Sequence, residues 1–234
     1  MKRHKHSILA VLAALLWGSL SATPYRPVWE IGRKDGSAAE FALYDGAYSD
    51  LLGRFPGAAA AYDVGRSTPG EIPYILPGPQ DGWAGNGNGS LLIRFGADAQ
   101  ASRAEMRLTL YLVESQASSP PTIEISAGGF RTSVQAPAGD DTKRTSARGL
   151  AIEALLPAGT FGAGENLLTI RNAGGSWLVW DAIVLEADRS VKCTRPGDGI
   201  ALIRSHSQPG LIYGRAEGEL LHPVTLTLVN WGKP

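Results

Sequence analysis

The chain is expected to be all-β, folded as a jelly-roll β-sandwich, and three observations carry that expectation. Glycine and proline punctuate the whole length, at 29 and 15 of 234 residues. The runs between them alternate apolar and polar residues with period two. Beyond the first residues, no segment shows a convincing helical period. Many short alternating runs with turn signals between them build two packed sheets.

The opening residues stand outside that pattern. Lys2, Arg3 and Lys5 precede a short apolar run, Ile8 to Leu16, and small residues follow at Gly18, Ser19, Ser21 and Ala22. A basic start, a short apolar centre and a small-residue end read as a secretory signal peptide over residues 1–22, cut near Ala22. A spanning anchor would need roughly 20 apolar residues. No cysteine lies near the cut, which argues against a lipoprotein. The expectation is a secreted or periplasmic protein with no membrane attachment after cleavage.

Strands follow in order. Val28–Ile31 and Ala39–Tyr44 are the first two expected, then Ser90–Phe95. In Glu105–Val113, Met106, Leu108, Leu110 and Leu112 share one face while Arg107 and Thr109 share the other, the mark of a half-buried strand. Thr122–Ser126 alternates in the same way. Gly128-Gly129 then leads into Phe130–Val134, so the two runs read as a tight hairpin. Leu150–Ala154 and Leu167–Arg171 come next, and Trp177–Glu186 closes the unit. That last run is unusual. Trp177, Val179, Ile183 and Leu185 make one face, the other is apolar too, and Asp181 sits among the apolar residues. A buried carboxylate must find hydrogen bonds, a cation or a bend in the strand, since an unpaired buried charge is costly.

Two stretches differ from the rest. Residues 45–89 are long and irregular, rich in Asp-Gly and Pro-Gly turns, and end in Asp81-Gly-Trp-Ala-Gly-Asn-Gly-Asn-Gly89. Loops of that length on a rigid sandwich commonly carry binding. Residues 188–199 read as a polar linker. After it, Gly210–Tyr213 and Val224–Asn230 look like strands of a further unit. A run of roughly 35 residues cannot close its own core, so residues 200–234 are expected to dock on the sandwich or to begin an incomplete second domain.

Composition excludes several functions. Loss of the leader leaves 19 basic groups against 22 acidic ones. That balance argues against a nucleic-acid partner, which would want a basic stripe. Only His206 and His222 would remain, too few for a histidine metal cluster and thin for a Ser-His-Asp triad. Cys193 is the sole cysteine, so no internal disulfide can form. The glycine-rich run 85–89 leads into a strand and therefore lacks the helix N-terminus that binds phosphate. A glycosidase needs two carboxylates in one cleft, and no spacing in the chain points to such a pair. Asp35, Asp45, Asp50 and Asp63 stand in turn-like contexts, where aspartate bonds its own backbone.

Tryptophan is the more telling residue. Trp29, Trp177 and Trp180 lie in expected strands and are assigned to the core. Trp83 lies in the glycine-rich loop, where ligand contact competes evenly with packing. A flat aromatic face beside Asp and Asn suits a sugar ring and its hydroxyls. The candidate sugar-binding residues are therefore Asp81, Trp83 and Asn86, with Arg33 and Asp35 as a second choice.

Val28-Trp-Glu-Ile-Gly-Arg-Lys-Asp-Gly36, followed by Ala39-Glu-Phe41, resembles the opening of the third domain of the family-4 polysaccharide lyases, the rhamnogalacturonan lyases. Leu156-Pro-Ala-Gly, Asn166 with its strand, and Trp180-Asp-Ala-Ile-Val-Leu-Glu186 resemble the close of that domain. The resemblance covers about residues 27–187. It implies a galactose-binding-like jelly roll serving as a non-catalytic carbohydrate-binding module for plant or microbial polysaccharide. The family's lyase chemistry belongs to a separate domain, so no enzyme activity is carried over. The resemblance also implies an alternative. The chain would be a structural spacer, or the N-terminal fragment of a larger lyase or α-mannosidase-like glycosidase, whose catalytic partner is encoded elsewhere. Related sugar-binding jelly rolls hold a structural calcium with acidic residues near the first and last strands, which here would be Glu40 and Asp181. Two carboxylates alone make a weak calcium site, which favours Asp181 accepting backbone N–H bonds at a strand bend. No other cofactor is expected.

Overall fold

The computed structural model describes residues 24–46, 48–140 and 149–195 in full, and between 200 and 230 the backbone of four strands. The expected leader lies outside the described residues. The described strands are β1 (Arg26–Gly32), β2 (Ala59–Asp63), β3 (Ile75–Leu76), β4 (Ser90–Ala97), β5 (Met106–Ser115) and β6 (Thr122–Ala127). They continue with β7 (Phe130–Gln135), β8 (Leu150–Leu156), β9 (Gly164–Gly174), β10 (Leu178–Ala187) and β11 (Cys193–Thr194).

Two sheets face each other as a jelly-roll β-sandwich. One has the order β1-β10-β5-β8, with β3 also on β10. The other has the order β11-β4-β9-β6-β7, with β2 parallel to β4. Each strand of the first sheet sends alternate side chains inward. Leu108, Leu110 and Leu112 of β5 are buried with Met106, as their spacing requires. Leu91, Ile93 and Phe95 of β4 answer from the second sheet with Ile123, Ile125, Leu168 and Ile170. Trp29 crosses the layer to meet Phe95 edge-to-face at 5.7 Å, and Phe95 meets Phe161 at 5.0 Å. Each such side chain taken from water contributes about 1.5–3 kcal/mol. Ala127 pairs with Phe130, so the Gly128-Gly129 hairpin turns in two residues as its sequence demands.

The closing strand departs from simple alternation. Opposite β5, Val179 pairs with Glu114, Trp180 with Leu112 and Ala182 with Tyr111. Val113 on one strand and Asp181 on the other are therefore skipped, a bulge on each side of Trp180. An extra residue reverses which face the following side chains take. Leu178 and Trp180 point into the core before the bulge, and Ile183 and Leu185 after it. The single face expected for Trp177, Val179, Ile183 and Leu185 is thus corrected. Trp177 and Val179 turn to the outer face and are only partly buried, so Trp177 is not a core residue.

The irregular stretch also needs correcting. Ala39–Tyr44 forms turns rather than a strand and keeps one bridge, Ala42 to Pro73. Leu43 has φ 67°, a left-handed conformation that extended pairing does not allow. The strands in this region are instead β2 and the two-residue β3. Asp63 closes β2 as a buried member of a charge cluster, 3.6 Å from Arg66 and 3.8 Å from Arg94, rather than as a turn residue bonded only to itself.

Past β10 the backbone stays on the sandwich for several residues. The Asp188 N–H donates to the Glu105 carbonyl, and β11 pairs with the far end of β4. Beyond it, β12 (Ile200–Pro209) pairs with β15 (Val224–Asn230), and β13 (Gly214–Ala216) with β14 (Glu219–Leu221). The strand expected at Val224–Asn230 is present, and that at Gly210–Tyr213 lies outside the described residues.

Candidate functional site

The outer face of β10 and β5, beside β3, carries an aromatic cleft of about 350 Å³. Trp177 and Val179 form its floor because the bulge turns them outward. Ile75 comes from β3, with Tyr74 just before it, and Val113 and Glu114 come from the bulged end of β5. The irregular stretch supplies the walls, namely Tyr44, Tyr48 and Trp83. Tyr44 and Tyr74 meet edge-to-face with centroids 6.1 Å apart, and Tyr48 meets Trp83 at 5.1 Å. Tyr48 is 54 % exposed, so the mouth is ringed by an accessible aromatic edge. The floor backbone is tied down, with the Trp180 N–H donating to the Tyr74 carbonyl.

Glu114 is the one acidic side chain lining the cleft among the described residues, and no lysine or arginine lines it. Its Oε1 accepts the Ser115 N–H at 3.0 Å and the Asp140 N–H at 3.3 Å. Its Oε2 is buried with no hydrogen-bond partner among the described residues.

Trp83 is where the sequence placed it, on an accessible loop that lines the cleft. Asp81 has a different task. It is 4 % exposed, and its Oδ2 accepts the Gly78 N–H at 2.7 Å while its Oδ1 accepts the Ser176 hydroxyl. Its carbonyl takes the N–H groups of Ala84 and Asn86, closing the turn that carries Trp83. Asn172, fully buried on β9, donates its Nδ2 to the carbonyls of Leu76 and Ser176. Gly78 sits so close beneath this network that a Cβ would strike the Gly175 carbonyl. Asp81 therefore positions the Trp83 loop against the β9–β10 turn. Asn86 is exposed at φ 57° and donates Nδ2 to the Pro79 carbonyl at 3.1 Å, and it is not among the cleft residues.

Arg33 and Asp35 form a second place, on the loop that leaves β1, and line no part of the cleft. The carboxylates of Glu40 and Asp181 gather this loop. Glu40 Oε1 accepts the Arg33 N–H at 2.7 Å. Asp181 Oδ1 accepts the N–H groups of Asp35 at 3.1 Å and Gly36 at 2.9 Å. Asp35 in turn accepts the Ser37 N–H, a local turn bond of the kind its context implied. Gly32 enters the loop at φ 82°, where a Cβ would lie 2.7 Å from the Asp181 carbonyl. The buried carboxylate in the last strand thus fastens the first loop by its amides. Calcium takes six to eight oxygens, whereas here the two carboxylates turn oxygens onto amide hydrogens. Among the described residues no three His, Cys, Asp or Glu side chains gather. The donor set does not fit calcium.

Sequence reasoning missed Tyr44, Tyr48, Tyr74, Trp177 and Glu114. One signal was present for the tyrosines, since four of the seven in the chain, Tyr44, Tyr48, Tyr62 and Tyr74, crowd into 31 residues of irregular sequence.

The chain is thus a two-sheet jelly roll with an aromatic cleft on the outer face of its β1-β10-β5-β8 sheet. The family profile described as CBM-like, polysaccharide lyase family 4, domain III, matches residues 27–185. The chain belongs to that family. The match is to the non-catalytic, binding-like domain of the lyases. No curated protein matches the chain.

Proposed function

We propose that this protein is a secreted or periplasmic carbohydrate-binding module whose sugar site is the cleft between Trp83, Trp177 and the three tyrosines. The observation that carries the reading is the convergence of five aromatic side chains on one open cleft of about 350 Å³, with a single carboxylate at its edge. That volume stands at the lower end of ligand pockets, which suits a chain end or a short segment of polysaccharide. Aromatic faces cover the apolar side of a sugar ring, and Glu114 Oε2 is a ready acceptor for a hydroxyl. The family's link to a polysaccharide lyase supports a catalytic domain or separate enzyme as the partner, with this module holding the substrate nearby.

The test is an affinity gel and a tryptophan-fluorescence titration against plant and microbial polysaccharides. Trp83 and Trp177 line the site, so bound sugar should quench or shift their emission. Trp83→Ala and Trp177→Ala should each weaken binding about tenfold or more, as loss of a central aromatic anchor does. Arg33→Ala, away from the cleft, should leave binding unchanged. A folded protein that retains no polysaccharide on any gel would refute the reading and favour a structural spacer.

A further inference from the structure

The cleft's electrostatics name a narrower ligand than its family does, and this step rests on the cleft being a sugar site. An acidic polymer asks for lysine or arginine at its binding site. None lines the cleft among the described residues. Instead Glu114 stands at the end of β5, 6 % exposed, with Oε1 held by two backbone N–H groups and Oε2 buried without a partner among the described residues. Around it are Tyr44, Tyr48, Tyr74, Trp83 and Trp177. A buried carboxylate with an unmet oxygen disfavours a second anion and favours a cation that can enter beside it. Electron-rich aromatic faces within reach add to the same preference.

We infer that the cleft recognises an amino sugar carrying a free ammonium, with the ammonium donating to Glu114 Oε2 and the ring lying against the tryptophan and tyrosine faces. A neutral hydroxyl could meet the same oxygen, but only the ammonium makes a charge-assisted bond and a cation–π contact together. A uronate would bring like charge to a carboxylate with no lysine or arginine beside it among the described cleft residues.

The experiment is a tryptophan-fluorescence titration of the full chain with short oligomers of glucosamine, N-acetylglucosamine, glucose and galacturonate. Choline serves as an ammonium without a sugar. At about pH 6 the glucosamine amine is protonated. The expected result is that glucosamine oligomers bind about tenfold more tightly than glucose oligomers, while galacturonate binds least. Glu114→Gln should bring the glucosamine-to-glucose ratio to about one. The wild-type ratio decides the matter by itself should that variant fold poorly. Equal binding of glucosamine and glucose, or preference for galacturonate, overturns the amino-sugar inference while leaving the sugar site standing. Silence with every sugar overturns both, and a response to choline alone does the same while locating an ammonium site of another kind.

Discussion

Removing the carboxylate of Asp181 should loosen the sandwich at the point where its first loop meets its last strand. In Asp181→Ala, the N–H groups of Asp35 and Gly36 lose an acceptor at 3.1 and 2.9 Å. Hydrogen bonds to a charged acceptor contribute about 1.5–3 kcal/mol each. Both share one oxygen and Asp35 is exposed, so the lower end applies and the total is about 3 kcal/mol. For a chain of this size each kcal/mol moves Tm by about 2–4 °C, which gives a fall of about 6–12 °C. Asp181→Asn keeps an oxygen toward the two amides and should lose roughly half as much. The assay is thermal unfolding followed by near-UV circular dichroism, with and without a calcium chelator. The chelator should leave the parent's Tm in place. An alanine variant melting within about 1 °C of the parent would refute the fastening role. A parent whose Tm drops with chelator would show instead that the carboxylate serves a metal.

Three further expectations can be checked on the same material. Asp81→Ala frees the Gly78 N–H and the Ser176 hydroxyl, so it should both lower Tm and weaken sugar binding through the displaced Trp83 loop; unchanged affinity would mean the loop holds without it. Gly78→Ala forces a Cβ against the Gly175 and Ser176 carbonyls and should cost about 1–3 kcal/mol, read from urea unfolding. Tyr25 donates its hydroxyl to Glu105 at 2.6 Å, and that bond pushes its pKa from 10.0 up to about 12. Its contribution to stability is complete below pH 10.0 and disappears as pH rises through about 12. An alkaline absorbance titration should therefore show a phenol near pH 12 that is absent in Tyr25→Phe, beside the late phenol of Tyr62, which burial also raises and which both proteins keep.

The parts of the fold open to prediction were those governed by repetition. Met106, Leu108, Leu110 and Leu112 announce a half-buried strand because side chains alternate across a sheet, and the two glycines of the 128–129 turn announce a hairpin. The failures lie where one residue breaks that repetition. Leu43 at φ 67° ends an otherwise strand-like run. The skipped residues Val113 and Asp181 reverse the inside and outside of their strands, and nothing in composition marks a bulge. The site suffered most from this. Trp83 was recognisable as a loop aromatic, but Trp177 lines the cleft only because of the bulge after it. Tyr44, Tyr48 and Tyr74 converge through turns that have no period to read. Asp81 was expected to meet sugar from its place in the loop, but its burial and its bonds to Gly78 and Ser176 belong to packing. Glu114 stands near a strand end beside a bulge, and only the assembled sheet shows that one of its oxygens lacks a partner among the described residues.

The bulge at Asp181 divides β10 into two stretches of opposite parity. N-terminal to it, positions 177 and 179 face the cleft while 178 and 180 hold the interior. C-terminal to it, the parities exchange roles, and 183 and 185 carry the interior. Substitution at 177 or 179 therefore reshapes the cleft first and meets the packed layer only at its margin. Deletion of that one residue would put the two halves out of phase, setting the half-buried tryptophan of the cleft into the hydrophobic layer. A change in the cleft's lining is a point mutation away in this strand, whereas a change of length is a change of fold.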